Sequence, residues 1–213
     1  MKKTYAIFGL GRYGMAVAKE LTASGAQVIA VDCDPLLIEE AAAFIPICKC
    51  ADVTDEESLN QLGIANFDVV IVSIADNLEA SVMAVTLSKE AGVPTVIAKC
   101  GNETHKKILL KVGADKVVFP ETESGIRLAK NLLSSGFLDI AELSPEVSII
   151  ELDVKKEWIG KSLRQLDLRK RYSLNVVAES VNGKINVNMN PDEALSESKK
   201  LIVIAETEAL KKL

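Results

Sequence analysis

Short apolar runs rich in β-branched residues alternate, along the first two-thirds of the chain, with longer segments whose apolar positions recur every three to four residues. The runs predict strands over 5–8, 27–31, 45–49, 69–73, 95–99 and 116–119. The periodic segments predict helices over 13–24, 35–44, 55–62, 77–91, 103–112 and 121–133. Helix starts are signalled by Asp34 before Pro35 and by Thr54, read as a cap, before Asp55-Glu56-Glu57. Gly25, Gly63, Gly92 and Gly113 each follow a periodic segment, where a left-handed residue ends a helix. Six strands alternating with six helices predict an α/β, Rossmann-type doubly wound parallel sheet covered on both faces.

The rhythm breaks after Leu133. Ser134-Ser135-Gly136 and Leu143-Ser144-Pro145 flank a short segment read as a linker, residues 136–143, between a nucleotide-binding domain over 1–135 and a second domain over 144–213. The second domain reads as small and α+β: a strand over 147–154, a short helix over 160–168, strands over 174–180 and 184–188 joined through Asn182-Gly183, a strand over 201–205 and a last short helix. About seventy residues bury little surface alone, so this unit is expected to pair with its own copy.

Gly9-Leu10-Gly11-Arg12-Tyr13-Gly14 follows the first strand and opens the first helix, and Asp32 closes the second strand. That context makes the glycine pattern a dinucleotide-type fingerprint. Gly9 permits the tight turn, Gly11 lets backbone approach a phosphate, and Gly14 lets helix and strand pack closely. The helix N-terminus offers N–H groups and a positive dipole end to the phosphate. Asp32 accepts from ribose hydroxyls and disfavours a 2′-phosphate, which argues against NADP. Arg12 is a cation at a helix N-terminus, an unfavourable place unless an anion accompanies it. Cys33, Asp52, Ser73-Ile74-Ala75 and Lys99 lie at the same C-terminal edge of the sheet and complete the candidate site.

The 213 residues carry a net charge of −5 and few aromatics, which speaks against a nucleic-acid partner. Of the four cysteines, no pair has the C-x-x-C spacing of a zinc or redox site, and buried thiols are the expected state. The N-terminus runs directly into a strand, without the apolar stretch of a signal peptide, and no segment has the length of a membrane span, so a cytoplasmic protein is expected. The single histidine, His105, falls in the first turn of a helix and reads as a surface residue. With no converging acid, base or nucleophile, the chain reads as a nucleotide sensor and not an enzyme. The alternatives weighed are a small NAD(H)-dependent oxidoreductase and an NAD(H) redox sensor.

The glycine loop with its Arg12, Asp32, Asp52-x-Thr54-Asp55, Phe67-Asp68-Val69-Val70-Ile71-Val72, Gly113-Ala114-Asp115 and Phe119-Pro120-Glu121 together resemble the regulatory subunits of Trk/Ktr-type potassium uptake systems, closest to the KtrA subgroup. The resemblance covers the whole chain, as an N-terminal RCK domain (regulator of conductance of potassium) followed by a C-terminal RCK, or TrkA-C, domain. It implies a homodimer formed through the Rossmann domain and assembled into an octameric ring beneath an integral-membrane potassium translocating subunit of the KtrB/TrkH kind. It also implies that ATP and ADP compete for the glycine site and favour active and inactive rings, with NAD or NADH bound there in some relatives. By the same resemblance Arg12 reaches a γ-phosphate across the dimer, and Glu121 lies where a divalent cation, Mg or Ca, binds between nucleotides. The C-terminal domain would be a receptor for cyclic di-AMP, with Arg169, Asn175, Val176 and Pro191 at the matching places. The chain departs from the pattern at Ala75-Asp76, where relatives have a glycine-containing turn, and at Phe119, where histidine is expected.

Overall fold

The computed structural model describes residues 3–74, 76–133, 137–144 and 146–210. The chain divides into two units between Glu121 and Thr122. The first contains β1 (Thr4–Phe8), α1 (Arg12–Ala23), β2 (Gln27–Asp32), α2 (Pro35–Ala42), β3 (Ile47–Cys50), α3 (Glu56–Gln61), a 3-10 turn at Ile64–Asn66, β4 (Val69–Val72), α4 (Leu78–Glu90), β5 (Thr95–Lys99), α5 (Glu103–Lys111) and β6 (Lys116–Val118). Its strands form one parallel sheet in the order β3-β2-β1-β4-β5-β6. The order reverses between β1 and β4, and a crevice opens at the C-terminal ends of strands where that happens.

Coverage on both faces explains the uninterrupted apolar runs: every residue of β4 is buried. Alternate residues feed two clusters, one containing Phe8, Val31, Val70 and Val72, the other Ile7, Leu10, Ala30 and Ile71. The four glycines expected to end helices all have positive φ. Asp34 caps α2 ahead of Pro35, accepting from the Leu36 N–H at 2.9 Å. Two local expectations are corrected. The cap of α3 is Asp55, which accepts from the Ser58 N–H at 2.9 Å, while Thr54 donates backwards to Asp52. Strand β3 starts at Ile47 and not at residue 45, because the Ile45 N–H still bonds the Ala41 carbonyl at the end of α2. Ile45 is apolar because it is core, not because it is strand.

α6 (Pro120–Leu133) begins in the first unit and runs into the second, so the division falls earlier than the expected boundary after residue 135. The apolar Ile126, Leu128 and Leu132 of α6 are exposed. The second unit continues with β7 (Phe137–Ser144), β8 (Val147–Asp153), a 3-10 turn at Lys156–Trp158, α7 (Leu163–Leu166), α8 (Leu168–Tyr172), β9 (Asn175–Val181), β10 (Lys184–Asn186), β11 (Lys199–Glu206) and α9 (Thr207–Leu210). Its antiparallel sheet has the order β10-β9-β11-β8-β7. The stretch expected as a linker, 136–143, is therefore largely strand β7, hydrogen-bonded to β8. Register shifts between Asp139 and Ala141 and between Glu142 and Ser144 break the two-residue alternation that would have marked it.

The helix expected over 160–168 is also shorter. Ser162 and Gln165 form a reciprocal capping box at the start of α7, and Asp167 in the left-handed region ends it. Trp158, Leu166, Leu174, Ile150 and Leu201 make the core of this unit, with the Trp158 and Tyr172 rings 5.6 Å apart. Among the described residues no helix is long and apolar enough to cross a membrane.

Candidate nucleotide site

The loop after β1 is built by three backbone constraints. The Gly9 N–H bonds the Val31 carbonyl at 2.9 Å and the Ser73 N–H bonds the Phe8 carbonyl at 2.7 Å, tying the loop between β2 and β4. Gly9 has φ +88, which favours glycine. Gly11, in contrast, has φ −58, and a Cβ placed on it meets nothing within 4 Å. No contact within the described chain requires glycine there, so the open space suits a group from outside.

Gly11 is also the cap residue of α1, and no side chain caps that helix. The amino ends of α2, α3, α4 and α5 are each capped by an Asp or Asn side chain. The first turn of α1 carries Arg12 and no acid. This helix end is thus electropositive by its dipole and by its side chain.

Asp32 stands beside it, half-buried. Its Oδ2 accepts from the Leu10 N–H at 2.6 Å and its Oδ1 from the Asp34 N–H at 2.9 Å. Each carboxylate oxygen retains a second lone-pair site for a ligand hydroxyl. Cys33 is exposed next to it, its thiol raised above the ordinary cysteine value by burial and then by the charge of Asp32. Asp52 is exposed at the end of the neighbouring strand, but its Oδ1 already accepts from the Thr54 N–H at 2.8 Å and the Thr54 hydroxyl at 2.7 Å. It shapes its own turn.

On the β4 side, the Ser73 hydroxyl is buried and has no hydrogen-bond partner. Leaving a buried hydroxyl unpaired costs about 1–3 kcal/mol, and its Cβ lies against the position of a Gly14 Cβ, at 3.2 Å. The Ile74 carbonyl accepts from the Ser81 hydroxyl, which holds the turn after β4 onto α4. Ser81 was not singled out from the sequence; its only signal is a serine on the buried face of an apolar helix. Ala75 lies outside the described residues.

On the β5 side, Lys99 and Glu121 pair at 2.7 Å, with Lys99 only 15% exposed and Glu121 65%. The Lys99 ammonium also lies 5.8 Å from the Tyr13 ring centroid. The hydrogen bond from Lys99 holds the Glu121 carboxyl below the ordinary glutamate value, and the charges of Lys99 and Arg12 add to this. Arg12, Tyr13, Lys99 and Glu121 thereby form one group beside the N-terminus of α1. Among the described residues no set of three or more His, Cys, Asp or Glu could hold a metal. A divalent cation at Glu121 would need phosphate oxygens and water for its other ligands, which suits magnesium.

In the second unit, Arg169 is exposed on α8, Asn175 is exposed at the start of β9, and Val176 is half-buried against the core. Pro191 sits on a separate segment, where its carbonyl accepts from the Arg164 N–H at 3.1 Å and Asp192 takes both an Nε and an Nη2 contact from Arg164 at 2.6 and 3.2 Å. His105, expected at the surface, is half-buried in the first turn of α5.

Residues 5–120 match the TrkA-N domain and residues 147–213 match the TrkA-C domain. The chain is 39% identical over 204 residues to the Ktr system potassium uptake protein C of Bacillus subtilis, covering 96% of this chain and 92% of that one. It is 33% identical over 210 residues to the Ktr system potassium uptake protein A of the same organism, covering 99% and 95%. Among solved structures, the GsuK channel bound to NAD superimposes with a TM-score of 0.66 at 17% identity, over 99% of this chain and 38% of that one.

Proposed function

The chain belongs to the family of Ktr and Trk potassium uptake proteins built from a TrkA-N and a TrkA-C domain, and from that premise we propose that it is a cytoplasmic, nucleotide-sensing regulatory subunit that gates a membrane potassium translocating partner. The observation that carries this reading is the glycine loop itself: Gly11 faces open space at an uncapped helix end, beside an orphaned Ser73 hydroxyl and the Asp32 carboxylate. Adenosine would be held through its ribose by Asp32, and the phosphates would lie on the N-terminus of α1.

The switch would reside at Lys99 and Glu121. Arg12 and Lys99 are the cations nearest the phosphate end, and Lys99 is already occupied by Glu121. A γ-phosphate competes for Lys99 where a diphosphate does not reach, which releases Glu121 to a divalent cation. Only such differential contacts shift an equilibrium between two ring shapes. The exposed apolar residues of α6 support assembly of the chain into homodimers, and of these into a ring. The role is regulatory and not catalytic, which the naming of the relatives as potassium uptake proteins supports. The same half-site accepts the adenosine part of NAD(H), so a dinucleotide is the competing ligand. In the second unit, Arg169, Asn175, Val176 and Pro191 would hold cyclic di-AMP between two copies.

Isothermal titration of the full chain with ATP, ADP, NAD, NADH and cyclic di-AMP tests the reading. ATP and ADP are expected to bind, and Asp32→Ala to weaken both by about 1.5–3 kcal/mol as a charge-assisted acceptor is lost. Arg169→Ala should abolish the cyclic di-AMP heat alone. Equal ATP affinity for wild type and Asp32→Ala would overturn the ribose assignment.

A further inference from the structure

We propose that Cys33 and Cys50 form a redox couple at the mouth of the nucleotide site, closing to a disulfide that loosens Asp32 from the glycine loop. Cys50 ends β3 in register with Asp32, and the ladder continues beyond the strand through the Ala51 N–H to the Asp32 carbonyl at 3.0 Å. Cys33 follows Asp32 and therefore stands diagonally across from Cys50. Cys50 shares a sheet face with Asp32, and Cys33, one residue past the end of β2, starts from the opposite face, so the disulfide requires the Cys33 peptide to turn toward Cys50. The Cys50 thiol already points at Cys33, donating to its carbonyl at 3.5 Å. Both thiols are free and exposed, whereas Cys48 is half-buried and Cys100 is buried.

The couple is wired to the loop. The Asp34 N–H, one residue beyond Cys33, donates to Asp32 Oδ1, while Asp32 Oδ2 receives the Leu10 N–H. Turning Cys33 toward Cys50 rotates the peptide that carries the Asp34 N–H, and the carboxylate loses the partner that orients it. The effect on nucleotide affinity rests on the function proposed above; the disulfide and the loosened Leu10 amide do not.

A peroxide is the oxidant. The Cys50 thiolate attacks one peroxide oxygen, the O–O bond breaks, and a sulfenic acid and a hydroxide form. The Cys33 thiolate then attacks the Cys50 sulfur, the S–S bond forms, and a second hydroxide leaves. The two hydroxides take up the two thiol protons, so two thiols and one hydrogen peroxide become one disulfide and two waters.

The full chain, treated with hydrogen peroxide and mapped by mass spectrometry after thiol blocking, should yield a peptide linked through Cys33 and Cys50. Hydrogen exchange at the Leu10 amide should quicken on oxidation, and ATP affinity should fall by about tenfold or more and return with reductant. Cys50→Ser, outside the nucleotide set, should bind ATP as the wild type does and lose all response to peroxide. Free thiols at both positions after oxidation, or an unchanged Leu10 exchange rate in the linked protein, would refute the couple. A reduced wild type that binds no nucleotide would refute the proposed function while the linked peptide and the Leu10 exchange still decide this one.

Discussion

The carbonyl oxygen of Gly9 occupies the place a side chain on Gly14 would need: a Cβ there would lie 1.9 Å from it. That approach is backbone against backbone, so no rotamer change relieves it, and it exists without any ligand. Gly11, three residues earlier, has no such neighbour. The two glycines of one motif therefore do different work, and their alanine variants separate folding from binding. Gly14→Ala should destabilise the first unit by about 3 kcal/mol or more, since the core cannot give way by that distance. Gly11→Ala should keep its unfolding free energy in urea to within about 1 kcal/mol and lose ATP binding. Denaturation and calorimetry on both variants check this; undiminished ATP binding by Gly11→Ala would move the phosphate elsewhere.

Arg12 is exposed at the first position of α1, beside Glu121. Its removal should weaken ATP more than ADP, by about 1–2 kcal/mol of difference, because only the longer chain is expected to reach the guanidinium. Competition binding of the two nucleotides to Arg12→Ala measures the ratio directly. A parallel loss of both would assign Arg12 to holding the loop.

The Lys99–Glu121 pair leads to a metal-dependent expectation. With wild type, magnesium should strengthen ATP binding and leave ADP binding nearly unchanged. In Glu121→Gln the magnesium effect should be lost, while Lys99, freed from its carboxylate partner, should hold ATP more tightly in the absence of metal. Titrations with and without magnesium decide it, and a metal effect that survives in Glu121→Gln would place the cation on phosphate alone.

Two depressed carboxylates latch strand starts in the first unit. Asp115 accepts from the Val96 N–H at 2.7 Å, the chief reason its pKa is lowered, and pairs with Lys89 at 3.0 Å. Asp68 accepts from the Thr4 N–H at 2.8 Å and is lowered chiefly by that bond. A carboxyl whose folded pKa lies below its unfolded value stabilises fully above the unfolded value and loses that contribution as pH falls through the folded one. Stability to urea should therefore be flat from neutral pH to about 5 and decline below about 4. Asp115→Ala should cost on the order of 1 kcal/mol at pH 7 and show a shallower acid decline. An unchanged pH profile would mean that Asp115 contributes nothing through its charge.

The centre of the first sheet was legible in the sequence because β1, β2 and β4, largely buried, are continuous apolar runs bounded by turn residues. The places where reading failed share a cause. Ile45 was assigned to a strand by its apolar character and β7 to a linker by the turn residues that flank it, yet what distinguishes them is where their backbone groups bond: Ile45 to the helix behind it, β7 to the strand that follows. The glycine loop and Asp32 were visible because spacing along the chain determines them. The bond from Leu10 to Asp32 and the pairing of Lys99 with Glu121 span 22 residues in each case. Only the folded sheet edge brings such partners together. Gly113-Ala114-Asp115, used as a family signature, turns out to be a structural clasp between β5 and the turn before β6.

The placement of β1 between β2 and β4 bears on how the chain is made. During synthesis β2 can pair with β1 almost at once, but the other edge of β1 stays uncovered until Val72 has emerged. At about 5–20 residues per second the stretch from Phe8 to Val72 takes on the order of 3–13 s to appear. Through that interval the nascent chain presents an apolar strand with an open edge, the state in which chaperones are recruited. The glycine loop cannot close before then, because the Phe8 carbonyl waits for the N–H of Ser73.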